Sequence, residues 1–316
     1  MSFTAYHIIL VLAKMARMPF WQGFFPEGLK EDALFFASNG KRGALLNFIR
    51  LVPLKAHLRL IDMLFVPGMG QHFLMRKALI GSEVKKAIAG GCRQVVILGA
   101  GFDTLGIRLA LQHKQVQCFE MDLPATQSNK KQLLEKKYET LPNNFHMMPC
   151  DLIKDSLPQT LQTQPSHDAR ADTFFIIEGV LMYLSEAEVQ KVFKDIATLP
   201  NASVSVLFGA MAKPDTTGSV LLRAVSGILG KAGEATKWAC LSADMPSFTT
   251  KCGLTLEKWA SYKELQKPIR NQEELKKIPD EDENFYLAVR SSAAIPKKEI
   301  SQVQGFSGTF LQQGVR

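Results

Sequence analysis

The chain has 316 residues, 46% of them hydrophobic and 22% charged, with a formal net charge of +8. That size and balance fit one large soluble domain, or one domain with additions. The lysines and arginines are dispersed, without a dense arginine run or an aromatic-interleaved basic strip, so no nucleic-acid partner is expected.

Cys92, Cys118, Cys150, Cys240 and Cys252 form no CxxC pair and are odd in number, which fits reduced thiols in a cytoplasmic protein. The six histidines show no HExxH or comparable spacing, so no metal is expected.

Tyr6 to Phe20 is apolar but carries Lys14 and Arg17. It is too short and too charged to span a bilayer and reads as a packed amphipathic helix. Further helices are expected over Glu31–Phe36, Ala44–Ile49, Ala56–Leu64 and Phe73–Ala89, broken by Pro26, Gly40, Pro53 and Pro67-Gly68. Residues 1–90 therefore form a helical cap packed on the core.

Gln94 to Leu98 is a short β-branched apolar run that ends at Gly99-Ala100-Gly101. An amphipathic helical stretch extends from there to Leu111, and a second strand, Val116–Phe119, runs into Glu120 and Asp122. Ala125–Tyr138 reads as a lysine-rich helix and Phe145–Met148 as a strand leading to Asp151-Leu152. Ile153–Leu161 reads as a helix interrupted by Pro158, and Thr173–Ile177 as a strand ending at Glu178. Ser185 with Glu188 marks the start of a helix over Glu186–Ala197, and strand Val204–Phe208 comes next. Residues 214–248 form a helical insertion, Lys251–Trp259 a helix end and a strand, and Phe285–Val289 the last strong strand. Residues 293–316, polar and without periodicity, form a flexible tail.

About seven strands alternate with helices, giving an α/β, doubly wound, mostly parallel sheet. The core spans 91–292, with the insertion within it. In such folds the ligand sits outside the carboxyl ends of the strands. Those ends carry Gly99, Ala100, Gly101 and Asp103, then Glu120 and Asp122, then Asp151, then Glu178.

The first turn reads GAGFDT and lacks the third glycine of the dinucleotide fingerprint. Asp103 stands where a diphosphate would approach, which is unfavourable for that anion and favourable for an ammonium or sulfonium. The turn therefore suits S-adenosyl-L-methionine better than a nicotinamide or flavin dinucleotide. Arg76 is a candidate for the cofactor carboxylate.

Three segments, QVVILGAGFDTLGIRL, FEMDLPATQSNK and IIEGVLMYLSEAEV, with CDL at Cys150 to Leu152 between them, carry a likeness. The chain resembles the class I S-adenosylmethionine-dependent methyltransferases, specifically the leucine carboxyl methyltransferase-like family, which includes polyketide O-methyltransferases. The resemblance implies a seven-stranded sheet of order 3-2-1-4-5-7-6 with the last strand antiparallel. It implies that Arg76 holds the methionine carboxylate and that Gly99–Gly101 passes under the methionine part. Asp122 would bind the ribose, assisted by Glu120 if that side chain reaches it. Asp151 and Leu152 would border the adenine, and Glu178 would contact the amino-acid portion. Leu105 and Ile107 depart from the arginine and the aromatic that many relatives carry there.

Methyl transfer to a carboxylate needs no base, whereas a hydroxyl acceptor can use one. Tyr183 is a candidate to orient the acceptor. His72, four residues before Arg76 and so on the same helical face, is a candidate base. The expected substrate is a small molecule, with the basic balance favouring an acidic one. A protein C-terminal carboxylate, an NAD-dependent oxidoreductase and a non-catalytic adenosyl-binding protein are the alternatives. Oligomeric state is not legible.

Overall fold

The computed structural model describes residues 3–40, 53, 56, 69–212, 237–261, 264–265, 283–290 and 303–306. The expected helix Ala44–Ile49, all but the first residue of Ala56–Leu64, and most of the 214–248 insertion and the 293–316 tail lie outside these residues.

The first half of the sheet is made of four short, parallel strands: β1 (Gln94–Leu98), β2 (Gln117–Asp122), β3 (Phe145–Pro149) and β4 (Thr173–Ile177). Every residue of β1 and of β4 is buried, which is why both read as unbroken apolar runs rather than as alternation. Then come β5 (Val204–Met211), β6 (Leu254–Ser261) and β7 (Glu283–Arg290). β7 lies antiparallel between β5 and β6.

The order is β3-β2-β1-β4-β5-β7-β6-β8, the expected seven strands plus one. The extra strand, β8 (Gln304–Gly305), pairs in parallel with the outer edge of β6. Two residues in a polar segment carry no periodicity, so this strand is invisible in the sequence.

Helices cover both faces. One is packed by α1 (Phe3–Met15), α3 (Leu29–Asn39), α4 (Met69–Ala89) and α5 (Leu105–Gln112), after the single turn of α2 (Pro19–Gln22). The other face is packed by α8 (Glu186–Ala197) and α9 (Met245–Lys251). The apolar stretch Tyr6–Phe20 is not one helix: α1 stops at Met15, and Pro19, placed in the first turn of α2, starts a new one. α6 (Pro124–Lys137) crosses between β2 and β3.

Two local outcomes show the capping chemistry. α8 occupies the residues that its start signal marks, with Ser185 and Glu188 closing a reciprocal capping box. The helix expected over Ile153–Leu161 is instead α7 (Leu157–Gln162). Ser156 caps it, and Pro158 belongs to its first turn rather than interrupting it.

No helix of the described residues is long and apolar enough to cross a membrane.

Candidate active site at the carboxyl ends of the strands

The Gly-Ala-Gly bend comes directly after β1. Gly99 has φ +66, and a Cβ built there would lie 2.2 Å from Val180 Cγ2, so only glycine fits that corner. The amides of Gly99 and Ala100 donate to the Met121 carbonyl, and the Gly101 amide donates to Asp122 Oδ2 at 2.6 Å. Asp122 Oδ1 accepts from the Leu123 amide at 2.7 Å. The acid closing β2 therefore latches the bend while remaining half-buried at the rim. Helix α1 lies over the same bend. A Cβ on Gly101 would lie 3.2 Å from Ala5 Cβ, and Tyr6 meets Phe102 edge-on with ring centroids 5.5 Å apart.

α4 delivers a row of polar groups to this edge. Arg76 Nε donates to Glu178 Oε1 at 2.7 Å, and Arg76 Nη1 donates to Glu283 Oε2 at 3.0 Å. Lys77 Nζ donates to Asp103 Oδ2 at 2.7 Å and to Glu178 Oε2 at 2.9 Å. His72, one turn before Arg76, lies 2.5 Å from Glu283 Oε2 through Nε2. Arg76, Lys77 and Glu283 are buried, and His72, Asp103 and Glu178 are partly so. Burial alone would lower the Arg76 pKa, but Glu178 and Glu283 raise it well above the ordinary range. Burial opposes ionisation of Glu283 as well, yet Arg76 and His72 outweigh it and hold the carboxyl at about 2. Asp103 shows the same pattern, lowered against burial by Lys77 and Arg108.

Three carboxylates, Asp103, Glu178 and Glu283, thus face Arg76 and Lys77. Arg108 Nη2 also lies 3.8 Å from Asp103 Oδ1, and the carboxylate oxygens at this edge favour a cationic ligand group beside them. The Arg76 guanidinium lies over Gly179, where a Cβ would be 3.7 Å from Nη2.

The strand ends bring together Arg76, Gly99, Ala100, Gly101, Asp103, Asp122, Glu178 and His72. Asp151 and Leu152 lie after β3 in a half-buried turn, where Asp151 Oδ1 accepts from the Ile153 amide. Tyr183 ends a 3-10 turn, Leu181–Tyr183, just past Glu178.

Glu120 is not brought to the rim. It is fully buried beneath α5, where a Cβ on Gly106 would lie 2.6 Å from Glu120 Oε1, and its Oε2 takes Lys130 at 2.5 Å. Burial, aided by Asp103 and Asp122 and opposed by Lys130, raises its pKa to about 7.

Two members of the cluster escape the sequence reading. Lys77 is masked by its neighbour Arg76, and Glu283 sits in an acidic stretch ahead of the last strand. β7 runs antiparallel, so its amino end reaches the edge where the parallel strands end. Gly209 in β5 makes room for this acid, since a Cβ there would lie 2.3 Å from Glu283 Oε1.

Residues 54–197 match the leucine carboxyl methyltransferase family. That match covers less than half of the chain. It includes Arg76, the Gly-Ala-Gly bend, Asp122 and Glu178, and it omits Glu283. The chain is 32% identical over 118 residues to YktD of Bacillus subtilis (strain 168), provisionally named an S-adenosyl-L-methionine-dependent methyltransferase. That match covers 37% of this chain and 38% of YktD. A provisionally named methyltransferase of the same kind from Mycobacterium bovis (strain BCG / Pasteur 1173P2) is 31% identical over 152 residues, 46% of this chain and 49% of that one. The chain thus spans less than half the length of these relatives. A crystal structure from Thermobifida fusca YX, titled provisionally as a methyltransferase, shares the fold. Its TM-score is 0.56 at 15% identity, over 87% of this chain and 98% of that one. The fold is therefore that of a structure titled provisionally as a methyltransferase, and the segment that matches the family carries β1 to β4 and α8.

Proposed function

We propose that the protein is an S-adenosyl-L-methionine-dependent O-methyltransferase acting on the carboxylate or hydroxyl of a small molecule. The observation that carries this reading is the latch between Gly101 and Asp122 beside the carboxylates of Asp103 and Glu178. A diphosphate would meet Asp103 there, whereas a sulfonium and an α-ammonium meet the sign they need. The family match supports the same cofactor, and its description favours a carboxylate acceptor.

S-adenosylmethionine supplies an electrophilic methyl group on a sulfonium. The chain's own residues bind and orient. Asp122 accepts from the ribose hydroxyls while keeping the bend closed, and Asp151 with Leu152 borders the adenine. Arg76, above Gly179, offers the N–H groups that its two acids leave over to the methionine carboxylate. Glu178 and Asp103 face the ammonium. α1 shields the bend from water, which strengthens each of these contacts. Tyr183 orients the acceptor. His72, held by Glu283, accepts the proton where the acceptor is a hydroxyl, and is idle where it is a carboxylate.

The test is release of S-adenosylhomocysteine on incubation with S-adenosylmethionine and a panel of small carboxylic acids and phenols. Turnover with a panel member is expected. Turnover confined to a peptide with a free C-terminal carboxylate would move the substrate to protein, and oxidation with NAD would replace the reading.

A further inference from the structure

We infer a second small-molecule site, separate from the strand ends, in the cleft between α4, α5 and the loop after α2, suited to a small amphipathic carboxylate. This site is independent of the methyltransferase reading.

The cleft holds a cavity of about 180 Å³, an order of magnitude above the space one water needs. It lies down the side of the domain. Lys85 comes nine residues after Arg76 on α4, roughly 13 Å along the axis at 1.5 Å per residue. Two helical faces make its walls. Ala78, Gly81, Ser82 and Lys85 share one face of α4, and Leu105, Arg108 and Leu109 share one face of α5. Phe24 and Phe25 close it from the loop.

Gly81 is the most telling wall residue. It sits in the middle of a 21-residue helix, where glycine costs roughly 0.5–1 kcal/mol against alanine. Yet a Cβ there would meet nothing within 4 Å. No packing contact demands glycine, and its effect is to leave the cavity open.

The lining also sets the ligand class. Ala78, Leu105, Leu109 and Phe24 give an apolar bed. The Ser82 hydroxyl and Lys85 ammonium stand on one side of it, and Lys85 makes no ion pair with the described residues. Arg108 is already committed, to the Glu27 carbonyl at 3.0 Å and the Thr104 hydroxyl at 3.3 Å and in ion pairs with Asp32 at 3.6 Å and Asp103 at 3.8 Å, so it stiffens the wall and leaves the anion to Lys85. Glu27 also lines the cleft but is itself exposed, and Arg108 is held by other partners, so an aromatic or branched carboxylate matches this bed with Lys85 as its cation.

Calorimetric titration with phenylacetate, beside neutral phenylacetamide, tests the site in the full chain. Wild type is expected to bind one phenylacetate, and the amide roughly tenfold more weakly, as fits loss of one charge-assisted hydrogen bond. Gly81→Leu fills the cavity with a better helix former and should abolish binding while melting no lower than wild type. Lys85→Gln should weaken phenylacetate to the level of the amide. Absence of saturable binding to wild type would overturn the inference. So would binding to Gly81→Leu at wild-type strength, which would place the ligand elsewhere. Should Gly81→Leu melt early, Lys85→Gln decides alone: unchanged phenylacetate affinity overturns the site.

Discussion

The Gly101 amide and the Asp122 carboxylate are joined by a 2.6 Å hydrogen bond that ties the bend after β1 to the end of β2. Asp122 thereby serves two purposes at once: it fixes the backbone on which a cofactor rests and presents a carboxylate at the rim. Asp122→Ala removes the two charge-assisted acceptors. Each such bond is worth about 1.5–3 kcal/mol. The expected outcome is at least about a tenfold weaker affinity for S-adenosylhomocysteine by calorimetry, with a smaller loss for Asp122→Asn, which retains one acceptor oxygen.

Gly99→Ala tests the corner itself. The left-handed backbone costs a non-glycine residue roughly 1–2 kcal/mol. The added methyl must also displace Val180, whose Cγ2 would be 2.2 Å away. A melting temperature lowered by several degrees and loss of cofactor binding are expected.

The Arg76 cluster should give the protein an acid limb. Glu283 falls from an ordinary 4.5 to about 2 in the folded chain. A depressed carboxyl contributes stability that is fully present above pH 4.5 and is lost as pH falls toward 2. Urea unfolding across that range should show wild type losing stability on acidification. Glu283→Gln should start lower at pH 7 and converge with wild type near pH 2. Removing the shared cation by Arg76→Ala leaves Glu178 to Lys77 and Glu283 to His72, and should lower stability at neutral pH by less than the roughly 3–5 kcal/mol of a fully stranded buried charge.

Glu120 works with the opposite sign. Its carboxyl, raised from 4.5 to about 7, binds its proton more tightly in the folded state. Its contribution is complete below pH 4.5 and is lost as pH rises through 7. Glu120→Gln keeps an acceptor for Lys130 and should flatten the stability profile between those values, measured by the same urea titrations.

Much of the fold is legible because the central strands β1 and β4 are buried on both faces and end abruptly at polar residues. The carboxyl-end acids announce themselves for the same reason. What stays hidden depends on tertiary placement. Glu120 and Asp122 share a strand parity, but only the second lies beyond the cover of α5, and no residue pattern distinguishes them. Glu283 joins the site only because β7 runs antiparallel, which places the start of a strand among the ends of others. Lys77 differs from Arg76 by one helical position, yet both reach Glu178. Pro158 reads as a breaker until its cap, Ser156, shows it to be a starter.

The most direct test is calorimetric titration of the wild-type chain with S-adenosylhomocysteine and, separately, with NAD. One equivalent of S-adenosylhomocysteine bound, strongly weakened by Asp122→Ala, with no heat from NAD, is the expected result. Saturable NAD binding with S-adenosylhomocysteine silent would contradict it.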